Sequence, residues 1–133
     1  MVGIVIVSHS EKVSKGAVEL CYEMADKDLK IVSAGGTEDG RIGTDAFLIK
    51  EGIEEVYTGN EVVVLADIGS SIMNAEMAID MLDEEIKGSV LILDTPIIEG
   101  SIAVAVQASI SNNIEDIIKA AEDAKQMKKV RNE

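Results

Sequence analysis

The chain has 133 residues, the size of one domain, and 47% of them are hydrophobic, enough apolar surface to offset ordering entropy and exclude disorder. Aromatics make up only 2%, so Val, Ile, Leu, Met and Ala must build the core, while 25 acidic residues against 12 basic ones give a net charge of −13. That balance argues against nucleic acid and against an anionic membrane surface as partners, because both call for a Lys/Arg face.

Val2–Val7 is a continuous, β-branched apolar run, the pattern of a strand covered on both faces. Ser10 then caps a helix whose apolar line is Val13, Ala17, Leu20, Cys21 and Met24. Leu29–Ser33 is a second, shorter strand, and it runs into a loop, Ala34–Gly43, that holds four glycines. Thr44 or Asp45 caps the next helix, with Phe47, Ile49, Ile53 and Val56 as its apolar line and Gly59 as its stop.

Glu61–Ala66 is a third strand, Asp67–Ser71 a turn of small polar residues, and Ile72–Leu82 a helix. The acidic run Asp83-Glu84-Glu85 reads as a solvated helix end. Val90–Leu93 is a fourth strand, followed by Pro96, the only proline, and a helix over Ile98–Ser109. A last helix, Ile114–Val130, has acidic residues early and Lys128, Lys129 and Arg131 at its end, as the helix dipole favours. Strands alternating with helices predict an α/β fold: one doubly wound domain over residues 1–133, with a mainly parallel sheet and helices on both faces.

One histidine and one cysteine exclude an internal disulfide and a structural zinc site, which needs four such ligands. A reducing cytoplasm fits this cysteine use. No apolar run approaches the ~20 residues of a membrane span, and Val2–Val7 lacks the length and basic flank of a signal peptide. No metal and no cofactor is expected: both G-x-G-x-x-G and the Walker A motif are absent.

In open parallel sheets, ligands gather at the carboxyl ends of the strands, near the switch in strand order. The strands here end in Ser8-His9-Ser10, Gly35-Gly36-Thr37, Asp67-Ile68-Gly69-Ser70-Ser71 and Asp94-Thr95-Pro96. His9 is thus the lone histidine at a site edge, with the chemistry of a general base or of a nucleophile that itself accepts a group. Asp67 is its natural partner, since a carboxylate on one ring nitrogen fixes the tautomer and frees the lone pair of the other. Asp67 is equally suited to capping a helix. Gly69-Ser70-Ser71 opening a helix make a phosphate or oxyanion cradle, and Gly35, Gly36, Gly40 and Gly43 lie in a loop over the same edge. A receiver-type acidic pair is missing after the first strand, as are the second histidine and arginine clamp of a phosphohistidine phosphatase. What remains can hold a phosphoryl group on nitrogen but has little machinery for a second substrate, which points to a carrier.

Val7-Ser8-His9-Ser10, Ile42-Gly43-Thr44-Asp45, Asp67-Ile68-Gly69-Ser70-Ser71 with Asn74-Ala75-Glu76, and Pro96-Ile97-Ile98-Glu99-Gly100 together resemble the DhaM family. These are the phosphotransfer subunits of phosphoenolpyruvate-dependent dihydroxyacetone kinases, similar in fold to the mannose-type IIA domain of the sugar phosphotransferase system. The resemblance implies a homodimer whose single histidine takes a phosphoryl group from HPr and passes it to ADP held on DhaL, while DhaK binds dihydroxyacetone. Carried onto this chain, it makes His9 the phosphorylated nucleophile and Asp67 its orienting partner. Gly69, Ser70 and Ser71 would hold the phosphoryl oxygens, Ser8 and Ser10 would add hydrogen bonds, and Gly35, Gly36, Thr44 and Asp45 would shape the rim. Many DhaM proteins carry further HPr-like and enzyme-I-like domains, so a single domain would depend on a free HPr. Two other functions remain open: a IIA component of a mannose-type sugar transporter, and a regulatory domain in which His9 only hydrogen-bonds.

Overall fold

The computed structural model describes residues 1–130. The elements run β1 (Gly3–Val7), α1 (Glu11–Met24), β2 (Ile31–Ser33), α2 (Ala46–Val56), β3 (Val62–Ala66), α3 (Ser70–Asp80), α4 (Glu84–Lys87), β4 (Val90–Ile92), α5 (Ile97–Ala108) and α6 (Ile114–Gln126). The four strands form one sheet in the order β2-β1-β3-β4, and every pairing is parallel. The α/β reading therefore holds.

Two apolar layers flank the sheet, and the period-2 alternation of the central strands builds both. Ile4 and Ile6 of β1, with Val63 and Leu65 of β3, pack with Ala17 and Cys21 of α1, Val104 and Ala108 of α5, and Ile117 and Ala121 of α6. Val5, Val7, Val62, Val64 and Ala66 face the other way, onto Ile49 and Ile53 of α2 and Ala75 and Ala78 of α3. All residues of β1 and β3 are buried, which is why both read as unbroken apolar runs.

The chain leaves β1 for β2 on one side, and β3 adds on the other. The switch in strand order thus lies between β1 and β3, and their carboxyl ends open into one crevice. Val7 pairs with Ala66, so Ser8 and Asp67 are each the first residue past a matched pair of strand ends. Register alone brings those two positions together.

Several element limits differ from the sequence expectation. The last helix stops at Gln126 rather than Val130; its buried stripe is Ile117, Ala121 and Ala124, and no later residue among those described is buried. Lys128 and Lys129 therefore lie beyond it, Lys125 is the basic residue of its last turn, and Arg131 lies outside the described residues. α3 begins at Ser70, two residues early, because Gly69 at φ 60° and ψ −113° makes the break. The acidic run forms the N-terminus of a separate one-turn helix, α4, too short to leave a periodic signature. The core face of α1 is Ser14, Ala17 and Cys21, while Val13, Leu20 and Met24 are exposed, as is Phe47 on α2. No helix among the described residues is long and apolar enough to cross a membrane.

Candidate active site

His9 leaves the end of β1 where the chain turns into α1, and Ser10 caps that helix through a hydrogen bond from the Val13 amide (3.3 Å). Its ring reaches across to the end of β3, where Nδ1 lies 3.0 Å from Asp67 Oδ1. An ionised carboxylate only accepts, so in the neutral ring Nδ1 carries the hydrogen and Nε2 keeps its lone pair. The hydroxyl of Ser70, the first residue of α3, stands 2.8 Å from that Nε2. The donor and acceptor roles follow: Ser70 gives its hydrogen to the free lone pair.

Asp67 is held from four directions. Its Oδ2 accepts from the Ser8 hydroxyl at 2.8 Å and from the His9 backbone amide at 3.0 Å. Its Oδ1 accepts from His9 Nδ1 and from the Ser71 hydroxyl. Burial is the largest single influence on this carboxyl and works to raise its pKa. The hydrogen bonds from Ser71, Ser8 and the His9 amide and ring act the other way and leave it lowered. Asp67 thus stays an anion and a fixed acceptor. It does not cap α3: Gly69 occupies that position, and no side chain caps the helix. The Ser71 amide donates to the Ile68 carbonyl (3.3 Å) and the Ile72 amide to the Gly69 carbonyl (3.0 Å), so among the described residues the Gly69 and Ser70 amides are the ones left for an incoming group.

The other residues expected at the site have more local duties. Ser71 is fully buried, and its hydroxyl bonds Asp67 and lies 3.1 Å from Nδ1, so it serves the Nδ1 side of the ring and not the Nε2 side expected of a phosphoryl ligand. The Ser10 hydroxyl is likewise spent on its cap. Gly35 packs so tightly that a Cβ would collide with Ser14 Oγ and come within 2.8 Å of the Ser8 carbonyl. The Gly36 amide donates to that same carbonyl (3.0 Å), and the Gly43 amide donates to the His9 carbonyl (2.8 Å). Asp45, not Thr44, caps α2 by accepting from the Phe47 amide at 2.9 Å. Thr44 instead accepts from Asn74 Nδ2 of α3 at 2.6 Å. The loop is therefore a brace under His9, tied at one end to β1 and at the other to α3.

Two contributors have partners that the sequence reading did not name. Ser8, expected only to add a hydrogen bond beside His9, bonds the carboxylate directly, a partner fixed by the Val7–Ala66 register. Asn74 lies one helical turn beyond Ser70, and nothing in the sequence names Thr44 as its partner. Beside the site, a cleft of about 700 Å³ runs between the ends of β3 and β4; Asp67 and Gly69 belong to its wall, but Ile68, Ile72, Ile92, Leu93 and Ile97 make it apolar. His9 is not part of that wall. Among the described residues no three His, Cys, Asp or Glu side chains converge to hold a metal ion.

A histidine oriented by a half-buried carboxylate, with its free nitrogen at a helix N-terminus, can be read against known proteins. Residues 3–118 match the EIIA-man family model, described as the PTS system fructose IIA component. The chain belongs to the EIIA-man family. Within it, the chain is similar to the phosphoryl donor subunit DhaM of PEP-dependent dihydroxyacetone kinase 2 from Listeria innocua, at 39% identity over 89% of this chain and 94% of that protein. It is also 39% identical to the phosphoryl donor subunit DhaM of Escherichia coli over 89% of its own length, but spans only 26% of that longer protein. The fold matches the crystal structure of EF1359, a protein of unknown function, with a TM-score of 0.85 and 34% identity over 92% of this chain and 94% of the other. These relatives support grouping the chain with the DhaM subunits.

Proposed function

We propose that this chain is a cytoplasmic phosphohistidine carrier that takes a phosphoryl group from phospho-HPr onto His9 and passes it to ADP held on a DhaL subunit. Together with DhaK, this would drive phosphorylation of dihydroxyacetone. The observation that carries the reading is the 3.0 Å contact of His9 Nδ1 with Asp67, which leaves Nε2 unprotonated at the N-terminus of α3.

In the forward step the Nε2 lone pair attacks phosphorus while the P–N bond to the donor histidine breaks, and the released imidazole takes that electron pair. Nδ1 keeps its hydrogen on Asp67 throughout, so the charge that develops on the ring faces a carboxylate. Transfer of this kind needs in-line positioning and charge stabilisation rather than covalent machinery. The amides of Gly69 and Ser70 and the positive end of the α3 dipole supply the charge term, while the Ser71 amide stays on the Ile68 carbonyl. The Ser70 hydroxyl, which occupies the Nε2 lone pair in the free protein, turns to a phosphoryl oxygen as the bond forms. Gly35, Gly36, Thr44 and Asp45 hold the rim, and Ser10 holds the start of α1. No metal or other cofactor enters the step.

The chain would work as a homodimer. Strand β4 is an open edge with Leu91 37% exposed, and the apolar cleft lies beside it. Such an edge calls for a cover.

Incubation with phosphoenolpyruvate, enzyme I and HPr is expected to add one acid-labile phosphate, lost in His9→Ala. An unmodified wild type under those conditions refutes the carrier reading. Formation of dihydroxyacetone phosphate on adding DhaK and DhaL separates it from service to a sugar transporter.

A further inference from the structure

Ser8 is 2% exposed, yet it is the one hydroxyl that touches the outer oxygen of Asp67. Its Oγ accepts from the Ser10 amide at 3.1 Å and donates to Asp67 Oδ2 at 2.8 Å. With a backbone N–H on its acceptor side, its single hydrogen is aimed at the carboxylate. The backbone is pinned as well, since the Ser8 carbonyl accepts from the Gly36 amide at 3.0 Å.

A carboxylate held on one oxygen by one donor can still swing about that contact. Oδ2 has two donors, the Ser8 hydroxyl and the His9 amide, and two contacts fix the plane. Oδ1 is thereby held opposite Nδ1. Ser71 reinforces Oδ1 from α3, so the carboxylate is clamped between the end of β1 and the start of α3. Among the described residues, the only titratable side chain bonded to Asp67 is His9; its other partners are hydroxyls and an amide.

We propose that Ser8 is a positioning residue: its hydroxyl sets the plane of the Asp67 carboxylate and, through it, the tautomer of His9. The inference rests on His9 as the phosphoryl acceptor for its effect on rate, but not for its effect on the ring. Ser8 makes no contact with Nε2, whose partner is Ser70, so its hydroxyl reaches the ring through Asp67.

The test uses Ser8→Ala, Ser8→Cys and Ser8→Thr in the full chain. Nitrogen-15 spectra of the single imidazole read the proportion of Nδ1-protonated ring, and phosphate uptake through enzyme I and HPr reads the rate. Ser8→Ala is expected to lower the Nδ1-protonated fraction and to slow uptake by about 10- to 100-fold, the usual effect of removing an outer-shell orienting partner. Ser8→Thr, which keeps the hydroxyl, is expected to restore both. Ser8→Cys keeps the volume but donates weakly, so it serves as the deciding variant if the alanine variant does not fold. A folded Ala or Cys variant with the wild-type tautomer ratio overturns the proposal, and so does a shifted tautomer with an unchanged rate. Wild type that takes no phosphate while the tautomer still shifts overturns the carrier reading and leaves the orienting role intact.

Discussion

Asp67→Asn is the substitution that separates geometry from charge, because it keeps the shape and removes the anion. Asp67 now accepts four hydrogen bonds, two on each oxygen. An asparagine has one oxygen, and the Ser8 hydroxyl and His9 amide at 2.8 and 3.0 Å claim it. The NH₂ group then faces Nδ1 at about the 3.0 Å of the present contact. Two donors cannot face each other, so the ring must shift its hydrogen to Nε2 and offer Nδ1 as the acceptor. The nucleophilic lone pair disappears in that tautomer. In serine hydrolases the same substitution at the same kind of His–Asp pair costs about 10⁴ in rate for this reason, or roughly 5 kcal/mol of barrier. A loss of that order in phosphate uptake is expected here. Stability should fall much less, by about 1–3 kcal/mol, since Ser71 can turn while the other partners stay bonded. Nitrogen-15 spectra of the one histidine give the tautomer without assignment, and uptake from phosphoenolpyruvate through enzyme I and HPr gives the rate. A folded Asp67→Asn variant that keeps Nε2 unprotonated and loads within about tenfold of wild type would refute the reasoning.

Four further outcomes follow from the same contacts. Because the folded pKa of Asp67 lies below its ordinary 3.8, its share of stability is full above that value and is lost as pH falls through the depressed one. Urea midpoints compared at about pH 5 and about pH 3 should therefore drop more for wild type than for Asp67→Asn. Gly35→Ala drives a methyl into Ser14 Oγ and the Ser8 carbonyl; a loss of about 1–3 kcal/mol is expected in chemical denaturation. Asp45→Ala removes the cap on the Phe47 amide and should cost about 1 kcal/mol, seen as a lower Tm, while leaving the Nδ1-protonated state of His9 in place. Burial pushes the Cys21 thiol up to about 11, so a thiol reagent at about pH 8 should leave the native chain untouched and label one site once it is unfolded in guanidinium.

The order of strands and helices was legible because it follows from patterns the chain writes along itself. Unbroken β-branched runs marked β1 and β3, and caps and glycines marked the helices near their true limits. The same local logic put His9, Asp67 and Ser70 at strand ends, where a doubly wound sheet gathers its ligands. Composition likewise left phosphoryl chemistry a single ring to act on. Errors came where a local pattern was ambiguous. Val13, Leu20 and Met24 have helical spacing, yet the sheet meets the neighbouring stripe of Ser14, Ala17 and Cys21. The basic end of the last helix was extrapolated past Ala124, the last of the described residues to be buried.

What only the tertiary structure decided is which hydroxyl faces which atom. Ser8, Ser10, Ser70 and Ser71 are chemically alike in the sequence, and each has a different duty in the fold. Ser8 and Ser71 clamp the carboxylate, Ser10 caps α1, and Ser70 alone meets Nε2. The β1–β3 register and the backbone break at Gly69 make that division. The register depends on contacts between residues about sixty positions apart. Hydrogen bonds act over about 3 Å, so no pattern within a strand or helix can encode them; they exist only once the sheet has closed.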